Sequence, residues 1–179
     1  MTHAARWTCL WFLLICLQAA AADWRTALPT AQRLGSGEFT WFGLRVYSAR
    51  LWTNGPVQDW RQPFALELLY HRPISRETLV QASMDEIRRL NTGAVTPEQI
   101  AAWAELIQTA FVDVRPGMRI TGLYLPGEGC RFYVDGTLHR EIADPAFARA
   151  FFAIWLDPRA RDPRLRLRLL GQVSDDEGA

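Results

Sequence analysis

From residue 38 onward the chain changes hydrophobic period several times, and each change marks an element. Glu38 to Thr53 is rich in β-branched and aromatic residues, and Gly43 marks a bend that divides it into two strands. Asn54-Gly55-Pro56 is a turn. Pro63 to His71 reads as a strand with Phe64, Leu66, Leu68 and Tyr70 on one face. Ser75 to Leu90 has the spacing of a helix, with Leu79, Val80, Met84, Ile87 and Leu90 on its buried side, Ser75 as cap and Ile74 stapled to Leu79. Thr96-Pro97-Glu98-Gln99 opens a second helix as a capping box with proline at its first position, and Ile100, Trp103, Ile107 and Phe111 form its apolar stripe. Met118 to Leu125 and Cys130 to Val134 read as strands, and Asp135-Gly136 turns the chain into a short strand ending near Ile142. Asp144-Pro145 starts a helix through Leu156 with Phe147, Phe151, Ile154 and Trp155 at core spacing, and Arg164 to Leu170 is a last turn or two of helix. Residues 23–34 read as a lead-in segment and Gly35-Ser36-Gly37 as a loop or tight turn.

Strands, two helices, strands and then a helix predict an α+β domain: a large antiparallel sheet backed by a layer of helices. The space between sheet and helices is where such a fold takes a ligand. The first 22 residues have a different character. Arg6 gives a weakly positive start, Trp7 to Leu17 is an uncharged apolar run, and Ala20 with Ala22 supply an A-x-A pattern. Residues 1–22 therefore read as a signal peptide with the mature chain starting at Asp23. The apolar run falls short of the roughly 20 residues that a spanning helix needs, so no stable membrane span is expected after the leader is removed. The mature chain is about one domain's worth, taken as residues 23–171, enough to bury a core without staples. Residues 172–179 read as a flexible acidic tail.

Composition narrows the chemistry. The net charge is +1, which argues against a general nucleic-acid binder. All 20 basic residues are arginine, so Schiff-base chemistry and a lysine base are excluded. Arginine-only usage also fits GC-biased codons, from which the exported chain is expected to be bacterial and periplasmic. Cys9 and Cys16 lie in the leader, which leaves Cys130 without a disulfide partner. His71 and His139 have no neighbour at metal-ligand spacing, so no metal and no cofactor are expected.

The stretch after Gly43 offers two alternating rows: Leu44, Val46, Ser48, Arg50 and Trp52, or Arg45, Tyr47, Ala49 and Leu51. If the first row faces the cleft, Ser48 and Arg50 are polar groups in an apolar lining, and Arg50 then needs a ligand carboxylate or Glu67 as partner. If the second row does, Arg50 is solvated. Tyr70 and Tyr124 are candidates to point a hydroxyl into the cleft or to sit in the core bonded to backbone.

The ordered segments LGSGEFTWFGLRVYSARLW (34–52), PFALELLYHRPIS (63–75), the helix pair at 75–111, PGMRITGLYLPG (116–127), DPAFARAFFAIWLDP (144–158) and LRLRLLG (165–171) resemble the chalcone isomerase-like family, in its bacterial exported branch. The resemblance implies an open-faced β-sandwich, a large antiparallel sheet backed by helices with a cleft between them. Catalytic members close a flavanone ring with an arginine, lysines, a tyrosine, an asparagine and threonines; non-catalytic members hold fatty acids with the cleft arginine and a tyrosine. The family's G-x-G-x-R strand start places Phe39 where the arginine would be, its next threonine falls near Phe42, and lysine is absent. The expected function is an exported, non-catalytic domain carrying a small apolar or amphipathic, fatty-acid-like ligand, with Ser48, Arg50, Tyr70 and Tyr124 as candidate contacts and no catalytic residue. The alternatives are an isomerase or lyase with a non-standard residue set, or a periplasmic partner-binding protein; the oligomeric state is left open.

Overall fold

A computed structural model describes residues 23–57 and 60–173; the expected leader and the end of the acidic tail lie outside them. Six strands form one antiparallel sheet in chain order: β1 (Gln32–Trp41), β2 (Leu44–Thr53), β3 (Phe64–Tyr70), β4 (Arg119–Leu125), β5 (Gly129–Val134) and β6 (Thr137–Ile142). Helices α2 (Arg76–Leu90) and α3 (Pro97–Ala110) are inserted between β3 and β4, while α4 (Pro145–Leu156) and α5 (Pro163–Leu169) follow β6. The predicted starts at Ser75, Thr96 and Asp144 form, and Asp162, not foreseen, caps the last helix. Ser75, Thr96, Asp144 and Asp162 each accept a hydrogen bond from a backbone N–H of the first turn of α2, α3, α4 and α5, satisfying donors that a helix start otherwise leaves open. Asp144 also accepts from the indole of the buried Trp103, at 2.9 Å, and so ties α3 to the start of α4.

The main core lies between the sheet and its helical layer. Ala49 and Leu51 of β2 stand opposite Leu68 and Leu66 of β3, which in turn stand opposite Ile120 and Gly122 of β4. Phe132 of β5 pairs with Gly122 and completes that row. From above, Met84 and Ile87 of α2 and Phe147, Phe151 and Phe152 of α4 close the core. Gly122 is needed there, because a Cβ would lie 2.8 Å from the Phe152 ring. The other face of the sheet is largely open. A short helix, α1 (Trp24–Ala27), covers part of it with Trp24 and Leu28 against Ala65, Leu123 and Tyr133.

Two features differ from the sequence-based expectation. The stretch before Glu38 is strand from Gln32 onward, and Gly35-Ser36-Gly37 lies within β1. These glycines are where α5 lies against the sheet: a Cβ on Gly35 would fall 2.0 Å from the Arg168 carbonyl oxygen, and one on Gly37 would fall 2.8 Å from Leu165 Cδ1. The second is α1, which the local pattern merges into a lead-in segment.

Candidate functional site

A cavity of about 740 Å³ opens between the sheet and the helices. Its floor is the β3–β5 surface formed by Leu66, Leu68, Tyr70, Ile120 and Phe132. Its roof comes from Leu79, Ala82 and Ser83 of α2 and from Phe151, Phe152, Ile154 and Trp155 of α4. Phe39, Trp41, Leu44 and Val46 of the first hairpin form one side, and Arg161, Asp162 and Leu165 lie at another. A register shift between Phe39 and Thr40 leaves Val46 without a partner on β1, and this bulge lets Leu44 and Val46 join the lining although farther along β2 the opposite row faces inward.

Polar groups within the wall are few. Tyr47 of β2 and Tyr70 of β3 are register partners, and their rings meet edge to face with centroids 5.9 Å apart. The Trp155 indole N–H donates to Tyr47 Oη at 3.0 Å, which leaves the Tyr47 hydroxyl proton to be donated elsewhere. Among the described residues nothing hydrogen-bonds to Tyr70 Oη. Burial pushes both phenols well above the ordinary tyrosine range; Asp162 adds to the shift at Tyr47, against the indole bond, and the neighbouring Tyr47 adds to it at Tyr70. Both are therefore neutral donors at any physiological pH and neither serves as a phenolate base.

The charged groups sit at the rim. Arg72, two residues beyond Tyr70 and exposed, contributes to the lining and has no ion pair among the described residues. Arg161 is bound by the buried Glu86 at 3.0 Å, and Glu86 also holds Arg89. Burial pushes the Glu86 carboxyl up, but the hydrogen bonds from Arg89 and Arg161 outweigh it and hold the group below its usual range. Asp85 is engaged by Gln81 and Arg88, and Asp162 by the first turn of α5. The rim carboxylates thus already have partners.

The residues singled out from the sequence separate cleanly. Tyr70 lines the cavity. Ser48 and Arg50 lie on the opposite face of the sheet, because it is Tyr47, Ala49 and Leu51 that turn toward the helices. There Arg50 pairs with the buried Glu67 at 3.2 Å, and Ser48 Oγ lies 2.7 Å from His71 Nε2. An apolar row on the core side and a charged row on the open side is the arrangement with the lower desolvation cost. Tyr124 is buried beside the cavity, stacked on Phe64 at 4.9 Å with its hydroxyl donating to the Trp60 carbonyl at 3.4 Å. Cys130 is buried, and burial raises its thiol far above the ordinary range, so it stays protonated and unreactive. Tyr47 and Arg72 were not singled out. The signal for Tyr47 was the strand alternation itself, since a row ending in Ala49 and Leu51 is the one a core accepts.

Comparison with known proteins agrees with this architecture. The chalcone isomerase-like family model matches residues 35–171, and the chain belongs to that family. Among solved structures, a fatty-acid binding protein of Arabidopsis thaliana superposes with a TM-score of 0.60 at 12% identity, covering 79% of this chain and 87% of that one. That likeness is one of fold. No curated protein sequence matches the chain. Among the described residues no group of His, Cys, Asp and Glu is placed to hold a metal ion, and no helix is long and apolar enough to cross a membrane.

Proposed function

We propose that this protein is an exported, non-catalytic carrier of a single-chain amphipathic lipid of the fatty-acid kind. The observation that carries the reading is the apolar cavity of about 740 Å³, with Tyr47, Tyr70 and Arg72 in its wall at the end where the chain leaves β3. Tyr70 and Arg72 both line the cavity where the chain leaves β3, and Tyr47 pairs with Tyr70. A carboxylate at that end meets two neutral hydroxyl donors and an arginine that has no other ion pair among the described residues. The acyl chain then runs over Leu68, Leu66 and Phe132, beneath Phe151 and Phe152. The reverse orientation would bury a carboxylate among leucines and phenylalanines, where an unpaired charge is strongly disfavoured. The fatty-acid binding neighbour supports this reading, and Phe39 at the family's arginine position moves the cationic contact to Arg72. Export is supported by the leader-like pattern of residues 1–22; amino-terminal analysis of the purified protein from its native host should give a start at Asp23.

Calorimetric titration with saturated fatty acids and with their methyl esters tests the site. The acids should bind and raise Tm by mass action. Arg72→Ala should weaken the acid by about tenfold, the loss of one charge-assisted contact, and leave the ester nearly unchanged. Tyr70→Phe should weaken both. No binding across the series would remove the carrier reading, and equal loss of acid and ester in Arg72→Ala would remove the head-group assignment.

A further inference from the structure

The first hairpin ends in a turn that breaks the chain's own rule. Trp41 and Leu44 are register partners, so Phe42-Gly43 is a two-residue loop, and φ is 49° at Phe42 and 75° at Gly43. Both residues are left-handed, as in a type I′ turn, where asparagine or aspartate followed by glycine is the favoured pair. The fold makes the same turn again between β5 and β6, with φ 48° at Asp135 and 83° at Gly136, and there it uses Asp-Gly. A bulky aromatic at positive φ is costly, and Phe42 recovers little of that cost in burial, because it is 88% exposed. Trp41 and Leu44 beside it are 51% and 50% exposed. Such a choice against local stability is the kind made at functional positions.

The tip is also continuous with the cavity. Phe42 meets Trp41 edge to face at 5.1 Å, Trp41 stacks on Phe39 at 6.4 Å, Phe39 stacks on Tyr47 at 5.0 Å, and Tyr47 meets Tyr70. An unbroken file of rings leads from Phe42, the most exposed of the large hydrophobic side chains among the described residues, to the proposed head-group end, and Arg72 sits at the same end of the sheet. From this geometry we infer that the Trp41–Leu44 tip docks on a lipid surface and that ligand passes between that surface and the cavity along the aromatic file. A tip of indole, phenyl and leucyl groups beside an arginine with no other ion pair among the described residues matches the boundary between acyl chains and anionic headgroups. The three side chains present roughly 400 Å², about half of what each partner contributes to a stable protein interface, so a second copy of the chain is the weaker fit. Docking does not depend on what the cavity holds; the transfer of ligand rests on the carrier reading.

The test uses vesicles of phosphatidylcholine and phosphatidylglycerol with the wild-type chain, Phe42→Asn, and Leu138→Gln as a control at an exposed leucine on β6. Phe42→Asn restores the favoured Asn-Gly turn and touches no cavity wall, so folding and uptake of fatty acid from water should be unchanged. Wild type and Leu138→Gln should co-sediment with the vesicles; Phe42→Asn should partition about tenfold less or lower still and should take up vesicle-held fatty acid correspondingly more slowly. Docking is overturned by a wild type that ignores vesicles, by equal partitioning of Phe42→Asn, by an equal loss in Leu138→Gln, or by a dimer in sedimentation velocity that Phe42→Asn dissolves. Vesicle binding without fatty-acid uptake from water would overturn the carrier reading and leave docking in place.

Discussion

Two tyrosines that look alike in sequence do different work in the wall. The Tyr47 hydroxyl accepts the Trp155 indole N–H and so joins β2 to α4, whereas Tyr70 Oη has no hydrogen-bond partner among the described residues. Removing the Tyr47 hydroxyl strands a part-buried indole donor, which costs about 1–3 kcal/mol; removing the Tyr70 hydroxyl strands nothing and should leave stability within about 1 kcal/mol of wild type. Tyr47→Phe should therefore lower the urea midpoint of the ligand-free protein while Tyr70→Phe does not, and both should lower fatty-acid affinity, since each hydroxyl donates to the carboxylate. Equal destabilisation by both would mean that the indole bond does not hold the wall.

At the scale of elements, the sequence revealed whatever was decided by neighbours along the chain. The helix caps, the period of α2 to α4 and the alternation in β3 are local, and they predict boundaries to within a few residues. Gly35-Ser36-Gly37 read as a loop because glycine usually breaks a strand. Its reason is α5, some 130 residues later, which presses backbone carbonyls onto β1. The inward row of β2 was likewise left open until β3 and the helices were in place, and with it the exclusion of Ser48 and Arg50 from the cavity. The α5 contact predicts a graded response. Gly35→Ala puts a Cβ against the unyielding Arg168 carbonyl and should cost about 3 kcal/mol or more, while Gly37→Ala meets the ends of the flexible Leu165 and Arg168 side chains and should cost about 1–2 kcal/mol. Thermal denaturation of the two variants reads the difference, and equal small losses would mean that α5 does not press on β1.

For the molecule as a whole, one buried carboxylate ties the roof helix α2 to the segment that joins α4 to α5. Glu86 projects from α2, binds Arg89 of its own helix, and reaches Arg161 in the segment joining α4 to α5; Arg89 in turn donates to the Arg159 carbonyl. Asp157 at the end of α4 adds a favourable charge beside Arg89, so this bracket sets how firmly the cavity is closed on that side. The Glu86 carboxyl is held below its usual range in the folded state, so it binds a proton more readily unfolded than folded. Its contribution is fully present above the unfolded carboxylate value of about 4.3 and is lost as pH falls through the lower folded value. Because the arginine partners are about half exposed, the loss should be about 1–2 kcal/mol rather than the larger cost of breaking a fully buried pair. Glu86→Gln should then unfold at lower urea than wild type at pH 7, and the two midpoints should converge as the pH is taken toward 3. Parallel curves across that range would show that Glu86 stabilises the roof by packing alone. Convergence accompanied by faster ligand exchange at low pH would show that the carboxylate also sets the opening of the cavity.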